Sequence, residues 1–163
     1  MRLSKRYFIL LIFVLLLSAC SNKEESHNDH DQKVPMQMGD IREETSSAAE
    51  IPSFLEDKAE ELVTIYTAAA NHQELLEQIP CYCGCGDSVG HKDSYDCFVH
   101  QNNADGSIVW DDHGTKCGVC LEIAAISMVE YQEGKSVREI RDLIDEKYKE
   151  GFANPTPTPK PGS

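Results

Sequence analysis

The sequence predicts a mainly α fold, with helical pairs flanking a cysteine-rich irregular loop that carries a small β-hairpin. Three observations predict it. Apolar residues recur at helical spacing between Leu55 and Ile79, and again between Leu121 and Tyr148. Residues 86–116 between them keep no such period. Six of the seven cysteines fall between Cys81 and Cys120. A chain of 163 residues has room for one domain with extended ends.

The N-terminus carries Arg2, Lys5 and Arg6, followed by an apolar run of eleven residues, Tyr7 to Leu17. That run is short of the about 20 residues a bilayer span requires and fits the apolar part of a secretory signal. Leu17-Ser18-Ala19-Cys20 resembles the bacterial lipoprotein signal, in which the cysteine becomes the acylated first residue. Residues 1–19 are therefore expected to be a signal peptide and Cys20 the lipid attachment site. Removing the three basic residues shifts the net charge from −13 to −16. Such acidity disfavours nucleic acid, whose phosphates need basic surface. It also disfavours adsorption to anionic lipid, so attachment rests on the lipid chain.

Residues 20–50 read as an acidic flexible tether, rich in Ser, Asn, Asp, Glu and Gln and too poor in apolar groups to bury a core. His27, His30, Met36 and Met38 within it are copper-type donors, but the composition favours a solvated linker. Residues 153–163, with four prolines, read as a disordered Pro-rich tail.

Residues 51–152 form the expected domain. Ser53 and Glu56 have capping-box spacing, and Leu55, Ala59, Leu62, Val63, Tyr66 and Ala70 follow on one helical face. That face, Tyr66 included, reads as core. Asn71 and Glu74 repeat the cap, so a short helix through Leu75, Leu76 and Ile79 delivers the chain to Pro80. The β-prone runs Cys97-Phe98-Val99 and Ser107-Ile108-Val109-Trp110 flank Asp105-Gly106, a turn signal, and predict the hairpin. Asp111 and Asp112 read as solvated surface. Cys117-Gly118-Val119-Cys120 opens a helix with Leu121, Ala124, Ala125 and Met128 on one side, and Gly134 ends it. Ser136 and Glu139 then cap a last helix bearing Val137, Ile140, Ile144 and Tyr148.

The chemistry lies in Pro80-Cys81-Tyr82-Cys83-Gly84-Cys85. Pro80 stops a helix from running through the motif, and glycine lets the backbone turn so that the thiols are presented together. A one-residue spacer rarely meets disulfide geometry, so bridges within the motif are not expected. Thiolates and imidazoles are the ligands of thiophilic metals. The expected donors are Cys81, Cys83, Cys85, Cys97, Cys117, Cys120, His91 and His113, with His100 the weakest candidate. The first cysteine group ends one helical half and the second begins the other. Burial of the two apolar faces against each other would bring both groups to one junction.

One tetrahedral site needs four ligands, so this inventory allows two ions or a small thiolate cluster, of copper or zinc. Two alternatives compete. Without Cys20 six thiols remain, an even number that three disulfides could consume outside the cytoplasm. Cys117-Gly118-Val119-Cys120 at a helix start could also exchange disulfides, although the strands of a thioredoxin-like pattern are missing around it. There is no Ser-centred elbow, phosphate loop or His-Glu-x-x-His helix, and an enzyme is not expected.

The run Ile79 to Cys85, with Gly90-His91, Asp96-Cys97-Phe98, Trp110, Asp112-His113 and Cys117-Gly118-Val119-Cys120, resembles the PCYCGC-motif lipoproteins of Gram-positive bacteria. The similarity extends to Ile51-Pro52-Ser53-Phe54-Leu55 upstream and Lys147-Tyr148 downstream. The resemblance implies surface attachment and little mechanism. The expected protein is an extracytoplasmic lipoprotein whose partners are the membrane, through its N-terminal lipid, and a metal ion.

Overall fold

The computed structural model describes residues 39–162. Cys20, the signal peptide, His27, His30, Met36 and Met38 lie outside the described residues. Among those described, the elements in chain order are strand β1 (Arg42–Thr45), helices α1 (Glu60–Ala70), α2 (Gln73–Leu76) and α3 (Cys85–Ser88), strands β2 (Val99–Asn102) and β3 (Ile108–Asp111), and helices α4 (Gly118–Gln132) and α5 (Val137–Lys147). Short 3-10 turns occupy Ser53–Leu55, Tyr95–Cys97 and Asp112–Lys116. The fold is mainly helical, with one small antiparallel sheet and the cysteine-rich segment in its middle.

Helix α4 is the central support. Its buried residues are Cys120, Ile123, Ala124, Ser127 and Met128, spaced as one stripe of a 3.6-residue period. Helices α1, α2 and α5 pack against it, contributing Tyr66 and Ala69, Leu75 and Leu76, and Ile140 and Ile144 to the core. The stripe is rotated from the expected one: Leu121 and Ala125 are only partly buried. The reason lies at the helix start, where the Cys117 sulfur accepts from the Cys120 backbone N–H at 3.4 Å. With Cys120 fully buried, the rest of the stripe follows from it.

Of the three expected caps, one forms. Ser136 and Glu139 make a reciprocal capping box at the start of α5. Ser53 lies in a 3-10 turn instead, and its N–H and hydroxyl donate to the Glu43 carboxylate at 2.7 and 2.6 Å. Asn71 closes α1, donating to the Thr67 carbonyl at 2.7 Å, and α2 has no side-chain cap.

The hairpin forms as β2 and β3. The tether expectation is corrected for its described end, while residues 20–38 lie outside the described residues. Arg42–Thr45 pairs antiparallel with β3, giving the sheet order β1-β3-β2. Arg-Glu-Glu-Thr has no apolar alternation to announce a strand. It is held by backbone pairing, by Trp110 donating to the Thr45 hydroxyl at 2.8 Å, and by Arg42 donating to Asp111 at 3.2 Å. Beneath the sheet, Trp110 and Phe98 pack on Tyr66 with ring centroids 6.3 and 5.0 Å away. The chain passes so close at Gly114 that a Cβ there would sit 2.8 Å from the Phe98 ring.

The C-terminal tail is also corrected: within 153–162 it straps the cysteine motif. Thr156 and Thr158 are buried. The Cys81 N–H donates to the Thr156 hydroxyl and the Thr156 N–H to the Cys81 carbonyl, both at 2.9 Å, and Ala153 donates to the Tyr82 carbonyl at 3.1 Å. A buried irregular segment must satisfy its backbone groups somewhere. Prolines cannot donate, so the intervening Ala and Thr residues do. Arg141 of α5 holds the strap from below, donating to the carbonyls of Thr158 and Pro159 at 3.3 and 3.1 Å.

Candidate metal centre

Five local structures each deliver thiols or imidazoles to one pocket. Pro80 ends the α2 exit, and the chain runs through Cys81 and Cys83 in non-helical backbone. Gly84 takes φ 91°, a left-handed conformation that turns Cys85 into the first position of α3. His91 follows α3, with its N–H on the Cys85 carbonyl at 3.3 Å. Cys97 ends the Tyr95–Cys97 turn. His113 sits in the Asp112–Lys116 turn, fixed by its N–H donating to Asp111 at 3.0 Å. Cys117 caps α4 and Cys120 lies in its first turn.

The distances are short and consistent. Cys83 lies 3.4 Å from Cys81 and from Cys120, and Cys81 lies 3.5 Å from Cys120. Cys85 is 3.8 Å from Cys97. His113 Nε2 is 3.6 Å from the Cys83 sulfur, and His91 Nδ1 is 3.6 Å from the Cys97 sulfur. Around one tetrahedral zinc, bonds of about 2.3 Å to sulfur and about 2.0–2.1 Å to nitrogen put two sulfurs about 3.8 Å apart and a sulfur and nitrogen about 3.6 Å apart. The Cys85–Cys97 and both cysteine–histidine separations have these values. All six cysteines of the described residues are free. Donor atoms lie within 4.8 Å of one another in two quartets, Cys83/His113/Cys117/Cys120 and Cys85/His91/Cys97/His113. Cys81 stands between them, grouped with Cys83 and Cys85 and also with Cys97 and Cys120. These groups could hold a metal ion. His100 is exposed and takes no part.

Packed sulfurs share protons unevenly. Hydrogen bonding with Cys120 holds the Cys81 thiol down at about 4, with Cys83 pulling the other way. Bonds with Cys117, Cys120 and Cys81 hold Cys83 far below the usual thiol range. Cys120 is pushed up by Cys117, Cys81 and Cys83, and so keeps the proton they share. Negative sulfur thus sits beside a proton-donating thiol, and a cation in that place would satisfy several thiolates at once.

Sequence reasoning missed Asp40. It lies in the segment read as tether, yet its side chain is only 7% exposed and serves both imidazoles. Its two carboxylate oxygens are each 3.2 Å from His113 Nδ1, and Oδ2 is 3.7 Å from His91 Nε2. His113 therefore turns one nitrogen to sulfur and the other to Asp40, the arrangement by which outer carboxylates orient metal-binding histidines, while His91 turns Nδ1 to sulfur and leaves Nε2 beside Asp40 beyond hydrogen-bond distance. Burial opposes a charge on His113, but bonding to Cys117 and Cys83 and the charge of Asp40 raise it to about 10. Burial lowers His91 against the pull of Asp111, and its Nε2 has no hydrogen-bond partner among the described residues.

Asp111 and Asp112, read as solvated, are buried. Asp111 faces His91 Nε2 at 4.0 Å, and Asp112 is paired with Lys116 at 2.8 Å and accepts the Ile41 N–H at 2.8 Å. Together they clip the Asp40 segment over the pocket.

Over residues 9–161 the chain matches the family described as protein of unknown function with PCYCGC motif. It belongs to the PCYCGC-motif family. The PCYCGC run is the segment that supplies Cys81, Cys83 and Cys85 to the pocket. Compared with curated proteins and with solved structures, the chain has no match in either.

Proposed function

We propose that this PCYCGC-motif protein is an extracytoplasmic lipoprotein, anchored through acylated Cys20, that binds a thiophilic metal ion, copper or zinc, through its Cys/His cluster. It stores, hands on or uses the metal structurally and catalyses no reaction. One observation carries the metal reading: sulfur–sulfur and sulfur–nitrogen separations of 3.8 and 3.6 Å have the values of neighbouring ligands around a tetrahedral ion. The ligands would be drawn from Cys81, Cys83, Cys85, Cys97, Cys117, Cys120, His91 and His113. Anchorage rests on the lipoprotein-type signal ending at Cys20, with acyl chains supplying the membrane affinity that an acidic chain lacks. The partners are then the membrane and the metal, and nucleic acid is not among them.

The test is elemental analysis and a thiol count on protein purified from its cell without oxygen. Stoichiometric copper or zinc with reduced cysteines is expected. Six oxidised cysteines and no uptake of Cu(I) or Zn²⁺ after gentle reduction would replace this reading with a disulfide-stapled domain.

A further inference from the structure

We propose that the cluster holds two divalent ions of the zinc class, one in an outer, exchangeable site and one in an inner, buried site. This rests on the metal-binding reading above and goes beyond it in number, charge and role.

The donors divide into two four-coordinate sets once His113 is assigned to the ion beside Cys83. His113 belongs to both quartets, but its Nδ1 is turned to Asp40 and its Nε2 has a single lone pair, so it serves one ion. At 3.6 Å from Cys83, it joins Cys83, Cys117 and Cys120. Cys85, Cys97 and His91 then need a fourth donor. Cys81 fills the place, grouped with Cys85 and with Cys97. Each ion thus has three sulfurs and one nitrogen. The Cys81 sulfur is also 3.4 Å from Cys83 and 3.5 Å from Cys120, so it lies on the seam.

Charge selects the class of ion. Six thiolates with two neutral imidazoles keep a net charge of about −2 beside two divalent ions and about −4 beside two monovalent ones, and uncompensated buried charge is costly. The surroundings do not relieve the excess. Asp40, Asp111 and Asp112 add carboxylates, and the nearby cations Arg42 and Lys116 are already paired with them. The Cys85–Cys97, Cys97–His91 and Cys83–His113 separations suit tetrahedral zinc as well.

Burial separates the two sites. In the outer set Cys83 and Cys117 are half-buried, and the His113 side chain is 17% exposed. In the inner set Cys81, Cys85, Cys97 and His91 are all buried, and the backbone of Cys81 is strapped by Thr156. A competing ligand can reach the outer ion from solvent. It reaches the inner ion only if the strap or the Asp40 segment opens. The outer ion is the exchangeable one, and the inner ion holds the irregular segment together.

The experiment loads the full-length chain with Zn²⁺ under anaerobic, reducing conditions and follows it by native mass spectrometry during an EDTA chase. Two zinc ions per chain are expected. One should leave quickly, and a one-zinc species should persist. Cys117→Ser should remove the fast phase and His91→Ala the slow one. X-ray absorption of the loaded wild-type chain should give three sulfurs and one nitrogen per zinc. Saturation at one zinc would overturn the two-ion assignment and leave metal binding standing, whereas no zinc at all would remove both. Loss of two ions in a single step, or a sulfur-only shell, would overturn the inner and outer division. The wild-type chase decides the matter even if a variant fails to fold.

Discussion

The helical half of this molecule and its cysteine-rich half are held by different forces. In the first, α1, α4 and α5 bury Tyr66, Ile123, Met128, Ile140 and Ile144 against one another, as any small helical core does. In the second, the run from Cys81 to Cys117 has few regular elements. Beyond the packing of Phe98 and Trp110 on Tyr66, it is fastened by sulfur contacts, by the polar clip of Asp40, Asp111 and Asp112, and by the threonine strap. The difference teaches where metal binding can act. A core of aliphatic side chains forms without a ligand. The six thiols and two imidazoles converge on one another with protons shared between sulfurs, and a cation could take the place of those protons.

The largest effect that would break this comparison comes from the motif itself. Cys83→Ser combined with Cys85→Ser is expected to abolish stoichiometric metal uptake while the far-UV helical signal persists. Loss of the helical signal as well would show that the two halves cannot be separated. Ile144→Ala strikes the other half. It should cost about 2–5 kcal/mol, and the Tm should fall by a similar amount in loaded and metal-free protein. A fall confined to the loaded form would place Ile144 under the control of the site.

Asp40→Asn sharpens the comparison within the pocket. The variant should bind metal about 10–100-fold more weakly, measured by competition with a chelating dye, with little change in metal-free helicity. An unchanged affinity would leave Asp40 a structural clip only. The pH dependence has opposite signs in the two states. Ligation displaces protons from thiols and from His113, which is raised to about 10, so metal affinity falls as pH falls. In the metal-free protein, protonated His113 stabilises the fold. That contribution is full below about 6.5 and is lost as pH rises through about 10. Calorimetric melting of both states across pH would detect either sign. The smallest effect is expected at the far end of the helical half. Ser136→Ala removes the α5 capping box and should cost about 1 kcal/mol, with metal stoichiometry unchanged by elemental analysis.

Much of the helical half was legible because its signals are local. The α5 cap, the Gly134 stop, at φ 91°, and the apolar spacing each lie within one window of sequence. Local signals also misled. The Ser53–Glu56 pair has capping-box spacing, but Glu43, ten residues upstream, takes Ser53 instead. The position of α4 was legible and its rotation was not, because the Cys117–Cys120 contact sets which residues face inward.

By itself the sequence determined the inventory of donors, the helices that frame them and the hairpin between, since residue type, period and turn chemistry act over a few positions. Only the tertiary structure decided that Cys81 stands between two donor groups, that His113 turns its second nitrogen to Asp40, and that the two ends of the domain close over the motif. The physical reason is separation along the chain. Ile41 meets Asp112 across 71 positions, and Cys81 meets Thr156 across 75. These contacts are made by single backbone, carboxylate and hydroxyl groups. Such groups leave no period in the sequence, and their partners are set by whichever segments the packed core brings within reach.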